Sequence, residues 1–341
     1  MRTKLLLASV LALTVQQTVL AQTDALGYTQ ANMTMGNGYQ NRSFFNFSDG
    51  NIVSQPAATW DVAFYRVSPF TTGTRINDAK NIEVYTAAIS LTEWDNININ
   101  NESSWGAPLY NPDQITDWSQ GAFEQGPITA PNPNIPSTGW GVYNTVNHHV
   151  QGEAIFVLKY PSGAYIKFAI EDAFSGYTFK YSKWNGTAWG PTETKTLANG
   201  TDDAFFNYFS FDSGAKVPNM EPSKSAWDLM FTRYFTDYPY VDEQGNPQTM
   251  KYRMSGVIQS PNISVAKVKP ETQEVATGAL PTSFSKNITT VGHSWKPTSG
   301  IYTDVVYYIK KGSDYYRMYF TSNGGTQTGN MYFKYKKSRQ R

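Results

Sequence analysis

Three histidines are the only imidazoles in this 341-residue chain, and two of them are neighbours. His148 and His149 lie between Trp140 and the run Phe156-Val157-Leu158-Lys159, whereas His293 lies just before Trp295. An imidazole ligates metals and moves protons near neutral pH. On a strand, His148 and His149 would point to opposite faces, so only one could enter a given pocket; in a loop both can turn inward. Hard oxygen donors of the calcium-binding kind gather at Asp237, Asp242 and Glu243 ahead of Gly245, and again at Asp95, Asn96 and Asn98. Neither run matches the EF-hand loop, and turn-forming Asx side chains explain both about as well. Trp94, Trp105, Trp118 and Trp140 crowd one stretch with Asn, Asp and Gln nearby. That is the residue set of a sugar-binding face, although core packing uses the same rings. There is no His-Glu-x-x-His, Gly-x-Ser-x-Gly, phosphate-cradling Gly-Lys-Ser/Thr loop or dinucleotide fingerprint. The expectation is a binding protein and not an enzyme, with no metal site of its own.

The elements that must position these groups read as strands. Trp60-Asp61-Val62-Ala63-Phe64-Tyr65-Arg66 is echoed by Trp227-Asp228-Leu229-Met230-Phe231-Thr232-Arg233, with Trp, Asp, Phe and Arg in register. Alternation predicts that Trp60, Val62 and Phe64 share one face, as do Trp227, Leu229 and Phe231. Arg66 and Arg233 close that face, where a long side chain can lay its stem on the core and keep its head wet. An aromatic run with a turn precedes each copy, Phe44 to Gly50 and Tyr208 to Gly214, and each is expected to form a hairpin-like pair with the Trp-Asp strand that follows it.

The parallel continues. Asn81-Ile82-Glu83-Val84 answers Asn262-Ile263-Ser264-Val265, and Tyr177-Thr178-Phe179-Lys180-Tyr181 answers Met331-Tyr332-Phe333-Lys334-Tyr335. The predicted fold is all-β, with two tandem sandwich-like antiparallel domains related by internal duplication. They span residues 36–184 and 204–341, with a Gly-, Thr- and Pro-rich linker at 185–203. Val84 to Trp140 is nearly twice as long as Val265 to Trp295. An irregular insertion of that kind is expected to be either functional or mobile.

Charge and composition narrow the partners. Lys and Arg total 28 against 27 Asp and Glu, a net charge of +1 with no basic stripe, which argues against nucleic acid. Residues 1–21 read as a secretory signal: Arg2 and Lys4, an apolar run from Leu5 to Leu13, and Val19-Leu20-Ala21 before Gln22. No later stretch is apolar enough to form a membrane helix. With no cysteine, the chain has no disulfides and cannot be a cysteine-anchored lipoprotein. A secreted, periplasmic or cell-surface bacterial protein is expected once the signal is removed.

The Asp49-Gly50 turn, the Trp-Asp-Val-Ala-Phe-x-Arg strand, the hairpin from Phe156 to Phe168 and the closing Tyr177 to Tyr181 strand together resemble the HmuY family of the Bacteroidetes. The resemblance covers most of Phe44 to Tyr181 and recurs more loosely over Tyr208 to Tyr335. It implies an iron-acquisition role, the capture of haem outside the cell for delivery to an outer-membrane receptor. Two features depart from the family, the missing lipid-bearing cysteine and the second copy. Haem requires one or two axial ligands and an apolar slot, so His148, His149 and His293 become its candidate ligands. Neighbouring residues cannot sit on opposite sides of one iron. A bis-histidine site would therefore recruit His293 and place haem between the two halves; the other axial partners open to the chain are Met33, Met35 or a tyrosine. The alternative is a cell-surface glycan-binding or interaction protein of the same fold without haem, in which another small ligand takes the site.

Overall fold

Val, Ile, Phe and Tyr in short runs broken by Gly, Asn and Pro favour strands over helices, and strands dominate the computed structural model, which describes residues 23–275 and 279–338. The signal segment at 1–21 lies outside the described residues. An N-terminal stretch carries β1 (Thr29–Thr34), β2 (Asn41–Phe45) and β3 (Ile52–Pro56). The middle of the chain carries β4 (Val62–Tyr65), β5 (Thr74–Ile76), β6 (Glu83–Ala88), β7 (Gly141–Tyr143), β8 (Val150–Gly152) and β9 (Ile155–Lys159). It continues with β10 (Tyr165–Ala173), β11 (Gly176–Lys183), β12 (Glu193–Ala198), β13 (Phe206–Ser210) and β14 (Ala215–Val217). The last stretch carries β15 (Leu229–Val241), β16 (Pro247–Gln259), β17 (Ile263–Val268), β18 (Val306–Lys311), β19 (Asp314–Asn323) and β20 (Asn330–Ser338).

These strands form four antiparallel sheets stacked as layers. The first outer sheet runs β12-β11-β10, after which β10 pairs with β9 along one part of its length and with β8 along another; β6 and β7 extend those two branches. Beneath it lies an inner sheet, β14-β13-β4-β5. A second inner sheet, β16-β15-β2-β3, faces the first, and the second outer sheet, β1-β20-β19-β18-β17, closes the stack.

Three cores fill the gaps between layers. Val62, Phe64 and Phe209 point into the first, with Phe156, Phe168 and Phe179. Phe45, Leu229 and Phe231 point into the third, with Ile309, Met318 and Phe333. Ala63, Tyr65, Phe206 and Tyr208 meet Phe44, Trp227, Tyr234 and Ile258 in the middle core. Each inner sheet is therefore buried on both faces, which is why the Trp-Asp strands read as nearly continuous apolar runs.

Strand pairing corrects the expected domain plan. The aromatic strand β2 pairs with β3 across the Asp49-Gly50 turn and, on its other edge, with the second Trp-Asp strand, β15. Reciprocally, β13 pairs with β14 and with the first Trp-Asp strand, β4. Neither aromatic strand joins the Trp-Asp strand that follows it. The middle unit is thus contiguous, β4 to β14, while the other unit is assembled from β1–β3 and β15–β20. The chain passes between units at 57–61 and 218–228. Residues 185–203 are not a free linker, since β12 lies within them and pairs with β11. The physical reason is degeneracy: either aromatic strand presents the same alternating rings, so local pattern does not specify its partner. Stacked inner sheets then let five residues carry the chain from one to the other.

The two aspartates lock this exchange. Asp61 Oδ2 accepts from the Phe211 amide at 2.7 Å and Oδ1 from Tyr160 at 3.0 Å, with Lys80 as its ion-pair partner. Asp228 Oδ2 accepts from the Phe47 amide at 2.7 Å and from Lys311 at 2.9 Å. Each carboxylate thus caps the turn beyond the aromatic strand that pairs with its own strand. Burial pushes the Asp228 carboxyl up, while Lys311 and the Phe47 amide pull it back.

Two smaller expectations change as well. Regular strand begins only after the aspartates, so Trp60 and Trp227 turn away from Val62 and Leu229 into the middle core. The head of Arg66 is buried, bonded to the Asp202 carboxylate and to the carbonyls of Asn199 and Asp202. The 84–140 insertion packs down as structure: Trp94, Ile97 and Trp105 join Tyr85, Ile155 and Val157 in a small core on the outer sheet's far side.

Candidate functional site

His148 and His149 sit at the end of the β7–β8 hairpin, on the rim of the first outer sheet. Asn144 builds the turn, its Oδ1 accepting from Val146 N at 2.8 Å and its carbonyl from His148 N at 2.9 Å. His148 adopts a left-handed backbone, φ 64°, and this separates the two neighbouring imidazoles. The exposed His148 has Nδ1 2.6 Å from Tyr143 Oη. His149 turns inward, where Nδ1 lies 2.9 Å from both carboxylate oxygens of Asp172.

Asp172 reaches that position through a bulge in β10 at Glu171, where β10 also changes partner from β9 to β8. Bulges re-aim side chains at sheet rims. With Nδ1–H donated to the carboxylate, His149 keeps the lone pair of Nε2 for a ligand, the arrangement found behind metal-ligating histidines. The imidazole is stacked on Phe174, with centroids 4.8 Å apart and an interplanar angle of 10°. Phe174 meets Phe70 edge-on at 5.5 Å. Phe70 is 68% exposed, so uncovered aromatic surface lies beside one oriented imidazole.

His293 does not join this group. Its Nδ1 lies 2.8 Å from Tyr234 Oη in the other unit, and burial, followed by the Lys296 charge, holds its pKa below the ordinary value. Among the described residues it shares no hydrogen-bonding or stacking partner with His148 or His149. Among the described residues no group of three or more His, Asp or Glu side chains is placed to hold a metal ion. The bis-histidine site expected between the halves is not formed, because aromatic side chains fill that seam. The space left there, lined by Arg42, Trp60, Arg75, Trp118 and Tyr208, is about 50 Å³, far too small for a macrocycle. Met33 and Met35 are buried in the third core and are not offered as ligands.

The remaining sequence candidates resolve into architecture. Trp94, Trp105, Trp118 and Trp140 are all buried, so the insertion presents no tryptophan face to a sugar. Trp140 Nε1 donates to Glu124 and Trp94 Nε1 to Thr192, both at 2.9 Å. Asp242 caps the β15–β16 turn, accepting from the amides of Gln244 and Asn246, and Asn98 caps a short 3-10 turn through Asn100 N. Both calcium candidates are thus turn chemistry.

What the residue types did not flag is a groove of about 700 Å³ in the composite unit. Its walls include Arg233, Arg253, Lys296 and His293 together with Tyr238 and Tyr252. Four of them lie on the β15–β16 hairpin and the other two about 40 residues further along the chain. The one local signal was the polar, tyrosine-rich continuation of the second Trp-Asp strand, too long for an ordinary core strand. Asp172, Phe174 and Phe70 were equally invisible as partners of His149, although aromatic residues beside Pro69 and Ser175-Gly176 mark exposed turns. No known protein family, curated protein or solved structure matches this chain.

Proposed function

We propose that this chain is an exported, non-enzymatic binding protein that captures haem on the rim of the middle unit, with His149 Nε2 as the protein ligand. The observation that carries this reading is the Asp172-oriented imidazole set against the uncovered Phe174 and Phe70 rings. An axial imidazole needs a fixed ring with one free nitrogen, and a porphyrin needs apolar surface beside it. The rim supplies both. The resemblance to the HmuY family adds the reason to look for haem and the expectation of delivery to an outer-membrane receptor. His148, held by Tyr143, lies next to the ligand without sharing its partner.

The test is a haemin titration of the mature protein followed in the Soret band. A saturable shift is expected, abolished by His149→Ala and retained by His148→Ala and His293→Ala. Asp172→Asn should weaken binding about tenfold or more by loosening the imidazole. No saturable shift, or an unaltered spectrum in His149→Ala, would overturn the proposal.

A further inference from the structure

The groove in the composite unit carries a second inference, independent of the rim. Arg233 comes from β15 and Arg253 from β16, while Lys296 and His293 come from the turn after Thr289. No Asp or Glu lines the groove, and neither Arg233, Arg253 nor Lys296 forms an ion pair among the described residues. Lys296 Nζ donates to Ser255 Oγ at 2.7 Å, and Arg253 reaches the carbonyl of Ala79 at 2.9 Å. The Nε groups of both arginines are buried and unpartnered. Two acids face these cations from the middle unit: Asp78 lies toward Arg253, its carboxyl pushed up to about 7 by burial, and Asp113 lies toward His293.

Half-buried cations without a direct ion-pair partner are costly unless an anion completes them. Burial, with the Arg233 charge added, pushes Arg253 down to about 10, and burial pushes Lys296 down to about 8. In a chain of net charge +1, this concentration is local. It does not continue as the stripe that a nucleic-acid backbone would need.

The other wall is aromatic. Beyond Thr236 and Tyr252 the β15–β16 hairpin pairs only with itself and projects from the sheet as an arm. Tyr238 and Tyr252 lie on it with ring centroids 5.5 Å apart, 39% and 47% exposed. The Tyr39 ring packs 5.7 Å from the Arg233 guanidinium. Tyrosine offers an apolar plane and a hydroxyl, the pair of features that recognises a pyranose ring. A groove of this volume holds a small organic ligand.

We propose that this groove binds an anionic saccharide, a short chain of pyranose rings packed on Tyr238 and Tyr252 with carboxylate or sulfate groups on Arg233, Arg253 and Lys296. The test is calorimetric titration of the full chain with four probes: a heparin-derived hexasaccharide, an oligogalacturonate, neutral maltohexaose and inorganic polyphosphate. One or both acidic saccharides should bind with an affinity that falls as salt rises, and maltohexaose should not bind. Arg233→Ala and, independently, Tyr252→Ala should each weaken binding about tenfold, or ~1.4 kcal/mol. Tyr252 is exposed, so its variant keeps the fold even where an arginine variant does not. The haemin titration should be unaffected by either, which separates failure here from failure of the rim reading. Absence of binding by both acidic saccharides, or equal binding of maltohexaose, overturns the proposal. So does polyphosphate binding as tightly as the saccharides with Tyr252→Ala silent, which would mark a bare cation cluster.

Discussion

Cutting the chain in two places tests the exchanged strand pairing directly. A fragment of residues 204–341 is the second domain that local pattern predicts, yet it lacks β1–β3. The third core would lose Met33, Met35, Tyr39, Phe45 and Phe47, all buried in the intact chain. At roughly 1.5–3 kcal/mol for each large side chain, these five amount to about 8–15 kcal/mol. That matches the whole net stability of a typical domain, about 5–15 kcal/mol. The same fragment keeps β13 and β14 without β4, their own sheet partner. Residues 57–226, in contrast, retain β4 to β14 and every contributor to the first core. Urea unfolding followed by near-UV circular dichroism should show a cooperative transition for 57–226 and none for 204–341. Adding a peptide of residues 23–60 should restore a transition to the latter. Cooperative unfolding of 204–341 by itself would refute the assignment of β1–β3 to that unit.

Three further outcomes are expected. Asp228→Ala should cost about 3–5 kcal/mol in urea unfolding, because Lys311 loses its counter-ion and the Phe47 amide its acceptor; Asp228→Asn, which loses the charge but keeps an acceptor oxygen, should cost less, and equal costs would remove the amide hydrogen bond from the explanation. Burial pushes Asp78, Glu124 and Glu221 each up to about 7, so the folded chain holds protons that the unfolded chain releases above about pH 4. That contribution is complete below the unfolded values and is lost as pH rises through 7, so the urea midpoint should fall between pH 5 and 8, by at least about 1.4 kcal/mol of stability; a flat or rising midpoint contradicts it. At the rim, the Soret response should follow His149 and Asp172 and ignore His293, as the separate partners of the three imidazoles require.

Much of the local architecture was legible because it depends on period alone. Val62 and Phe64 alternate with Ala63 and Tyr65, and turn residues bound each run, so strand identity and the all-β class follow from the chain itself. The repeated Trp-Asp strands marked the structural centre correctly, since both lie in the inner sheets with an aspartate capping a facing turn. Three things were not legible. Whether Trp60 shares the face of Val62 depends on where regular strand begins, and that is set by Asp61 reaching across to Phe211. Whether Trp94 and Trp105 face a ligand depends on the outer sheet having a second apolar side, supplied by Ile155, Val157 and Ala169. Which histidine could act depends on a carboxylate 23 residues away that a bulge turns toward His149.

The sequence by itself determined the strands, their alternation and the balance of charge, because these arise from neighbours along the chain. Tertiary structure alone decided the partners. Two aromatic strands of equivalent pattern can each satisfy either Trp-Asp strand, and only the stacking of the inner sheets, with Asp61 and Asp228 each capping a turn distant in sequence, selects the exchanged pairing. By the same logic, the cations of the groove come from segments that pattern does not link. Their convergence on one groove with no direct ion pair exists only where the fold brings them together.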